Sequence, residues 1–175
     1  YCRVGEFEIE SDPSDPNWVQ FEVPFENPRG MLFSRLNSDQ MTDKQFGMNL
    51  PEKGYSYHFA NQSDFVVYNP SDIPIDPYYQ SHVLKLTIRH NGGSFTLTNQ
   101  TNGTSFKYNS NLSSNDTLLL DGIHVYRNNN IDSANSSLAD VSIKPLSLAT
   151  GDNHFRVDGA GDLDVTFSFP FIYLA

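Results

Sequence analysis

The stretch Thr117-Leu-Leu-Leu-Asp-Gly-Ile-His-Val-Tyr126 sets two short apolar runs on either side of Asp121-Gly122. An Asp-Gly pair in that place is a two-residue hairpin signal, because both residues tolerate the positive φ of tight hairpin turns. Outward from it, the same grammar repeats. Strands are predicted over 55–59, 65–68, 83–89, 95–98, 105–108, 117–120, 123–126, 155–158 and 163–174. Asn91-Gly92 and Asn102-Gly103 are further turns able to take positive φ, and Asp158-Gly159-Ala160-Gly161 allows a wider reversal. Connections this short cannot carry parallel crossovers, so the chain reads as all-β, an antiparallel two-sheet β-sandwich.

Toward the N-terminus, Val19, Phe21, Val23 and Phe25 alternate with polar residues and Pro24, and the run from Arg3 to Ile9 alternates in the same way. With Ser11-Asp-Pro-Ser-Asp-Pro16 between them, they predict a β-hairpin over 1–25. Asn27-Pro28, Arg29-Gly30, Leu50-Pro51 and Lys53-Gly54 punctuate the next segment, so 26–54 is expected to be a linker, with a helical turn near Ser38 to Phe46. The sandwich is expected to fill 55–175. Within it, the polar run Asn128 to Asp140 predicts an exposed loop that tolerates change. The sequence opens on Tyr1, which is expected of a processed chain or a piece of a longer one.

Composition narrows the function. The 175 residues carry 11 basic and 21 acidic side chains, a net charge of -10 that repels phosphate backbones and argues against nucleic-acid partners. No apolar run is long enough for a membrane helix. A single cysteine, Cys2, can form neither an internal disulfide nor a thiolate zinc cage. Only 18% of residues are charged, whereas 17 are Asn and 19 are Ser, so the polar surface is built mainly from amides and hydroxyls.

Catalytic grammar is thin. The five histidines show neither metalloprotease spacing nor a partner Gly-x-Ser-x-Gly elbow, and no cofactor or enzymatic activity is expected. Asp152, Asp158 and Asp162 are weak candidates for a calcium site, since Asp beside Gly is also the ordinary way to build a turn. Sugar binding is better motivated. Exposed aromatics can stack on a pyranose while amides and carboxylates meet its hydroxyls, and the candidates are Trp18, Tyr78, Tyr79 and Asn128.

Five segments then occur in a telling order: Asp64-Phe-Val-Val-Tyr-Asn-Pro-Ser-Asp-Ile-Pro-Ile-Asp-Pro77, Phe95-Thr-Leu-Thr-Asn-Gln-Thr-Asn-Gly-Thr104, Asn115-Asp-Thr-Leu-Leu-Leu-Asp-Gly-Ile123, Leu148-Ala-Thr-Gly-Asp-Asn153 and Leu163-Asp-Val-Thr-Phe-Ser-Phe-Pro-Phe-Ile-Tyr173. Their succession resembles the C-terminal domain of siphophage distal tail proteins. The resemblance covers about 55–175 and implies a galectin-like, jelly-roll-type sandwich. It also implies that 1–25 is the end of an N-terminal ring-forming domain, which assembles as a hexameric ring in that family. The function implied is structural: a phage or prophage tail-tip component in the virion, assembled in the bacterial cytoplasm and docking tail-tube, tail-associated and receptor-binding proteins. The alternative is a module recognising host cell-wall carbohydrate. There is no galectin-type His-x-Asn-x-Arg run.

Overall fold

A computed structural model describes residues 3–11, 19–28, 30–41, 48–50, 55–140 and 142–175. Among them, the regular structure is all strand apart from three short 3-10 turns, Ser38–Gln40, Ser133–Asn135 and Ser137–Ala139. No helix among them is long and apolar enough to cross a membrane. The chain divides into two compact units, Tyr1–Leu32 with Leu174–Ala175, and Phe33–Tyr173.

The smaller unit contains an antiparallel ribbon. Strand β1 (Arg3–Val4) pairs with β4 (Phe25–Glu26), and β2 (Ile9–Ser11) pairs with β3 (Val19–Phe21). Arg3 faces Glu26 and Ile9 faces Phe21, so six steps along one arm match five along the other and a bulge separates the two ladders. Gly5 N–H donates to the Pro24 carbonyl at 2.9 Å beside it. The predicted turn after Ser11 lies outside the described residues.

In the larger unit, one antiparallel sheet has the order β10 (Thr104–Tyr108), β9 (Phe95–Asn99), β14 (Gly151–Asp158), β7 (Asp64–Asn69). A second runs β13 (Asn130–Ile131), β12 (His124–Arg127), β11 (Leu118–Asp121), β8 (Lys85–Arg89), β15 (Asp164–Ser168), β6 (His58–Ala60). Phenylalanines join the two. Phe65 of the first sheet stacks on Phe59 of the second with ring centroids 4.2 Å apart, and Phe167 lies 5.0 Å from Phe155 and 6.1 Å from Phe65. The sheets therefore pack face to face around an aromatic core, to which Leu86, Ile88, Leu97, Phe106, Leu118 and Val165 contribute fully buried side chains.

Several expectations change. Met31–Asn37, inside the expected linker, is a seven-residue strand, β5, which pairs with β16 (Pro170–Leu174). Its sequence, Met-Leu-Phe-Ser-Arg-Leu-Asn, lacks strict alternation because two of its polar positions bond to the end of the chain: Ser34 Oγ accepts the Phe171 N–H at 2.8 Å, and Asn37 Nδ2 donates to Ser168 Oγ at 3.1 Å. The single run 163–174 breaks at Phe169, since Ser38 Oγ donates to the Phe167 carbonyl and accepts the Phe169 N–H, capturing the chain as it leaves β15. The hairpin between β11 and β12 also turns one residue later than Asp121-Gly122. Asp121 pairs with His124, so Gly122, at φ 61, and Ile123 form the turn, and Ile123 is left at its exposed tip.

The stretch 128–140 is not a free loop. Ser136 and Ser137 are buried, Ser137 Oγ accepts the Lys107 N–H, and Asp132 accepts the Tyr108 hydroxyl at 2.5 Å. Gly92 is not in the positive-φ region either. It is glycine because a Cβ there would meet the His90 ring at 2.8 Å.

Candidate functional site

The segment from Ile75 to His82 forms a tight protrusion. Ile75 exchanges both backbone hydrogen bonds with Leu148, and His82 N–H returns to the Asp76 carbonyl at 3.0 Å. Asp76 Oδ1 accepts the N–H groups of Tyr78 and Tyr79, each at 2.9 Å, an Asx turn that fixes both tyrosines from below. Their rings meet edge to face, centroids 4.8 Å apart at 87°, and stay exposed, Tyr78 by 49% and Tyr79 by 72%. Of the four predicted sugar-contacting residues, these two come together.

Beside them lies a cavity of about 200 Å³ lined by Asp76, both tyrosines, Asn102, Lys144 and Ser147, with Thr104 and Pro145. Its far wall is held by amides. The Ser147 carbonyl accepts Asn99 Nδ2 at 2.9 Å and Asn102 Nδ2 at 3.0 Å, while Thr104 Oγ1 accepts the Ser147 N–H. Behind that wall, Asn99 donates to Asn153 Oδ1 at 2.9 Å, Asn153 donates to the Ala149 and Gly151 carbonyls, and Asn69 donates to Ala149. These three asparagines are buried and fully engaged. Lys144 has no hydrogen-bond or ion-pair partner among the described residues, and Asp76 Oδ2 also has none.

The other candidates lie elsewhere. Trp18 falls outside the described residues. Asn128, at φ 50, accepts the Thr117 N–H and donates to Asp116 Oδ1 at 2.6 Å, so its amide braces a turn and does not line the cavity. Asp116 also accepts from Arg127 at 2.7 Å and from the Ser113 N–H and hydroxyl; the Arg127 guanidinium first, then Ser113 and Asn128, hold its carboxyl well below the ordinary aspartate range. The proposed calcium ligands do not converge. Asp158 pairs with Arg156 at 3.1 Å, Asp162 binds the His90 ring and the Asn91 N–H, and Asp152 sits exposed near the start of β14. Among the described residues, no three His, Cys, Asp or Glu side chains are grouped to hold a metal.

His90 with Asp162 has the form of an oriented imidazole, Nδ1 on the carboxylate. Its Nε2 is buried without a partner and faces Gly92, where no reacting group can reach it.

No family model matches this chain, and no curated protein matches it in sequence. Sequence reasoning missed Asp76, Asn102, Lys144 and Ser147. Asp76 carried a signal, since Asp-Pro-Tyr-Tyr is Asx-turn grammar, whereas Lys144 and Ser147 reach the cavity only through the buried amides that place their segment.

Proposed function

We propose that this chain is a structural component of a phage or prophage tail tip, its larger unit a galectin-like sandwich and its ribbon part of an assembly surface. Supporting this reading is the order of the five distal-tail-like segments, which fall on β7, β9, β11, β14 with the turn before it, and β15–β16. The observation that carries it is the ribbon. Val4, Phe7, Ile9, Val19, Phe21 and Phe25 are each between 47% and 70% exposed, with Ile9 paired to Phe21 and Val4 paired to Phe25. A two-stranded ribbon is marginal alone in water, and one so apolar asks for a neighbouring surface. Partners of that surface would be adjacent ring subunits or tail-tube proteins, and the larger unit would present docking surface to adhesion proteins.

Two measurements test the assignment. Antibodies against the chain, applied to tailed particles from a strain that encodes it, should label the tail tip in electron micrographs; particles without label would sink the proposal. In light scattering of the purified chain, Phe21→Ser with Phe25→Ser should abolish self-association or tail-protein capture while the larger unit keeps its melting temperature.

A further inference from the structure

We propose that the Tyr78–Tyr79 shelf and the cavity beside it form a binding site for one pyranose unit of a glycan. Three features point to that chemistry. First, two tyrosine rings stand exposed on a backbone that Asp76 has already fixed, so little ordering remains to oppose binding. Apolar C–H faces of a sugar ring pack on such aromatic surfaces, and nothing among the described residues covers them.

Second, the cavity offers complementary polar groups next to the rings. Lys144 supplies unengaged donors and Asp76 Oδ2 an unengaged acceptor, both lining the same small space. A hydroxyl both donates and accepts, so adjacent hydroxyls of a sugar satisfy an ammonium and a carboxylate together. The Ser147 hydroxyl accepts from Asn102 at 3.1 Å and keeps its own proton to donate. An anion would meet Asp76 and a cation would meet Lys144, so the pair disfavours ligands with charge of a single sign, a penalty that a neutral sugar escapes.

Third, the walls are built. The buried chain Asn69, Asn153, Asn99 spends its donors on the Ala149, Gly151 and Ser147 carbonyls, and the segment so fixed presents Lys144 to Ser147 as the cavity wall. A volume of about 200 Å³ lies below the roughly 300 Å³ at which drug-sized pockets begin, which suits one ring and not an enclosed oligosaccharide.

The test uses the whole chain and methyl glycosides of glucose, galactose and N-acetylglucosamine as probes, followed by saturation-transfer NMR and tyrosine fluorescence. At least one glycoside should bind saturably in the millimolar range. Tyr79→Ala should weaken it about tenfold or more, and Tyr79→Phe by no more than about twofold, since the ring and not the hydroxyl does the stacking. Lys144→Met should weaken it by several fold. Unchanged melting temperatures would establish that each variant is folded, which is expected at such exposed positions. No saturable binding by any of the three, or binding indifferent to Tyr79→Ala, would overturn the site, as would tetramethylammonium binding there in preference to the sugars. Loss of this site would leave the tail-tip assignment standing, because the ribbon measurements do not involve it.

Discussion

Asp116 gathers Arg127, Asn128 and two bonds from Ser113 onto a single carboxylate. Its folded pKa lies below the roughly 3.9 of an unfolded aspartate, so the unfolded state binds the proton more readily. Asp116 therefore adds stability above about pH 4 and loses that increment as the pH falls toward its depressed value. Urea midpoints should show Asp116→Asn less stable than the parent at pH 7, with the gap narrowing at pH 3. A gap that stays constant would show that the carboxylate's charge is not what the turn uses. Residue-scale legibility is uneven for a physical reason. Asn69, Asn99 and Asn153 each stand in phase with buried apolar neighbours, as in Phe65, Val67, Asn69 and Phe95, Leu97, Asn99, yet the predicted strands 65–68, 95–98 and 155–158 leave all three out, because an amide at a strand end looks like turn chemistry. Asn153 meets carbonyls two and four positions away, but the carbonyls that Asn99 and Asn69 meet, those of Ser147 and Ala149, lie 48 and 80 positions along the chain, which no local pattern encodes.

At the scale of elements, alternation located most of the strands of the larger unit but could not assign them to sheets. Within Leu163 to Leu174 the local mark of a break is Pro170, which has no N–H to donate and opens β16; the apolar pattern hides it, because Phe167, Phe169 and Phe171 keep one period and are all buried. The break is imposed by Ser38, more than a hundred residues earlier. Phe167 packs against Phe59, Phe65 and Phe155, and Phe169 against Tyr57 and Phe171. Either residue replaced by Ala should cost about 3–5 kcal/mol in denaturant unfolding. A loss below about 1 kcal/mol at Phe167 would contradict the register of β15. The stretch after Asn128 behaves oppositely to its composition. Excision of 132–137 strips partners from Tyr108, from the Lys107 N–H and from the Val125 N–H, at about 1 kcal/mol each, so about 3 kcal/mol should be lost where polarity alone predicts none. Thermal melts of the excised and parent chains decide between them.

For the molecule as a whole, the chain carries two kinds of exposed surface. The ribbon is apolar and open, as suits permanent contact with protein. The tyrosine shelf is small and edged with one acid and one base, as suits a reversible ligand. A net charge of -10 is compatible with both, since neither depends on attracting a polyanion. The ribbon's alternation was plain from Val19 to Phe25, but exposure of those side chains was not, because a greasy strand face reads the same whether it is covered or open.

The sheet order β11-β8-β15-β6 has an effect on synthesis. β15 slots between β8 and β6, with Thr166 pairing both Thr87 and His58, yet it leaves the ribosome about eighty residues after β8. Until then, the nascent chain carries β8 with one edge unpaired, the arrangement most prone to sticking to other chains. Translation thus passes through a vulnerable interval that ends only when β15 emerges, and chaperones that shield open strand edges should govern the yield.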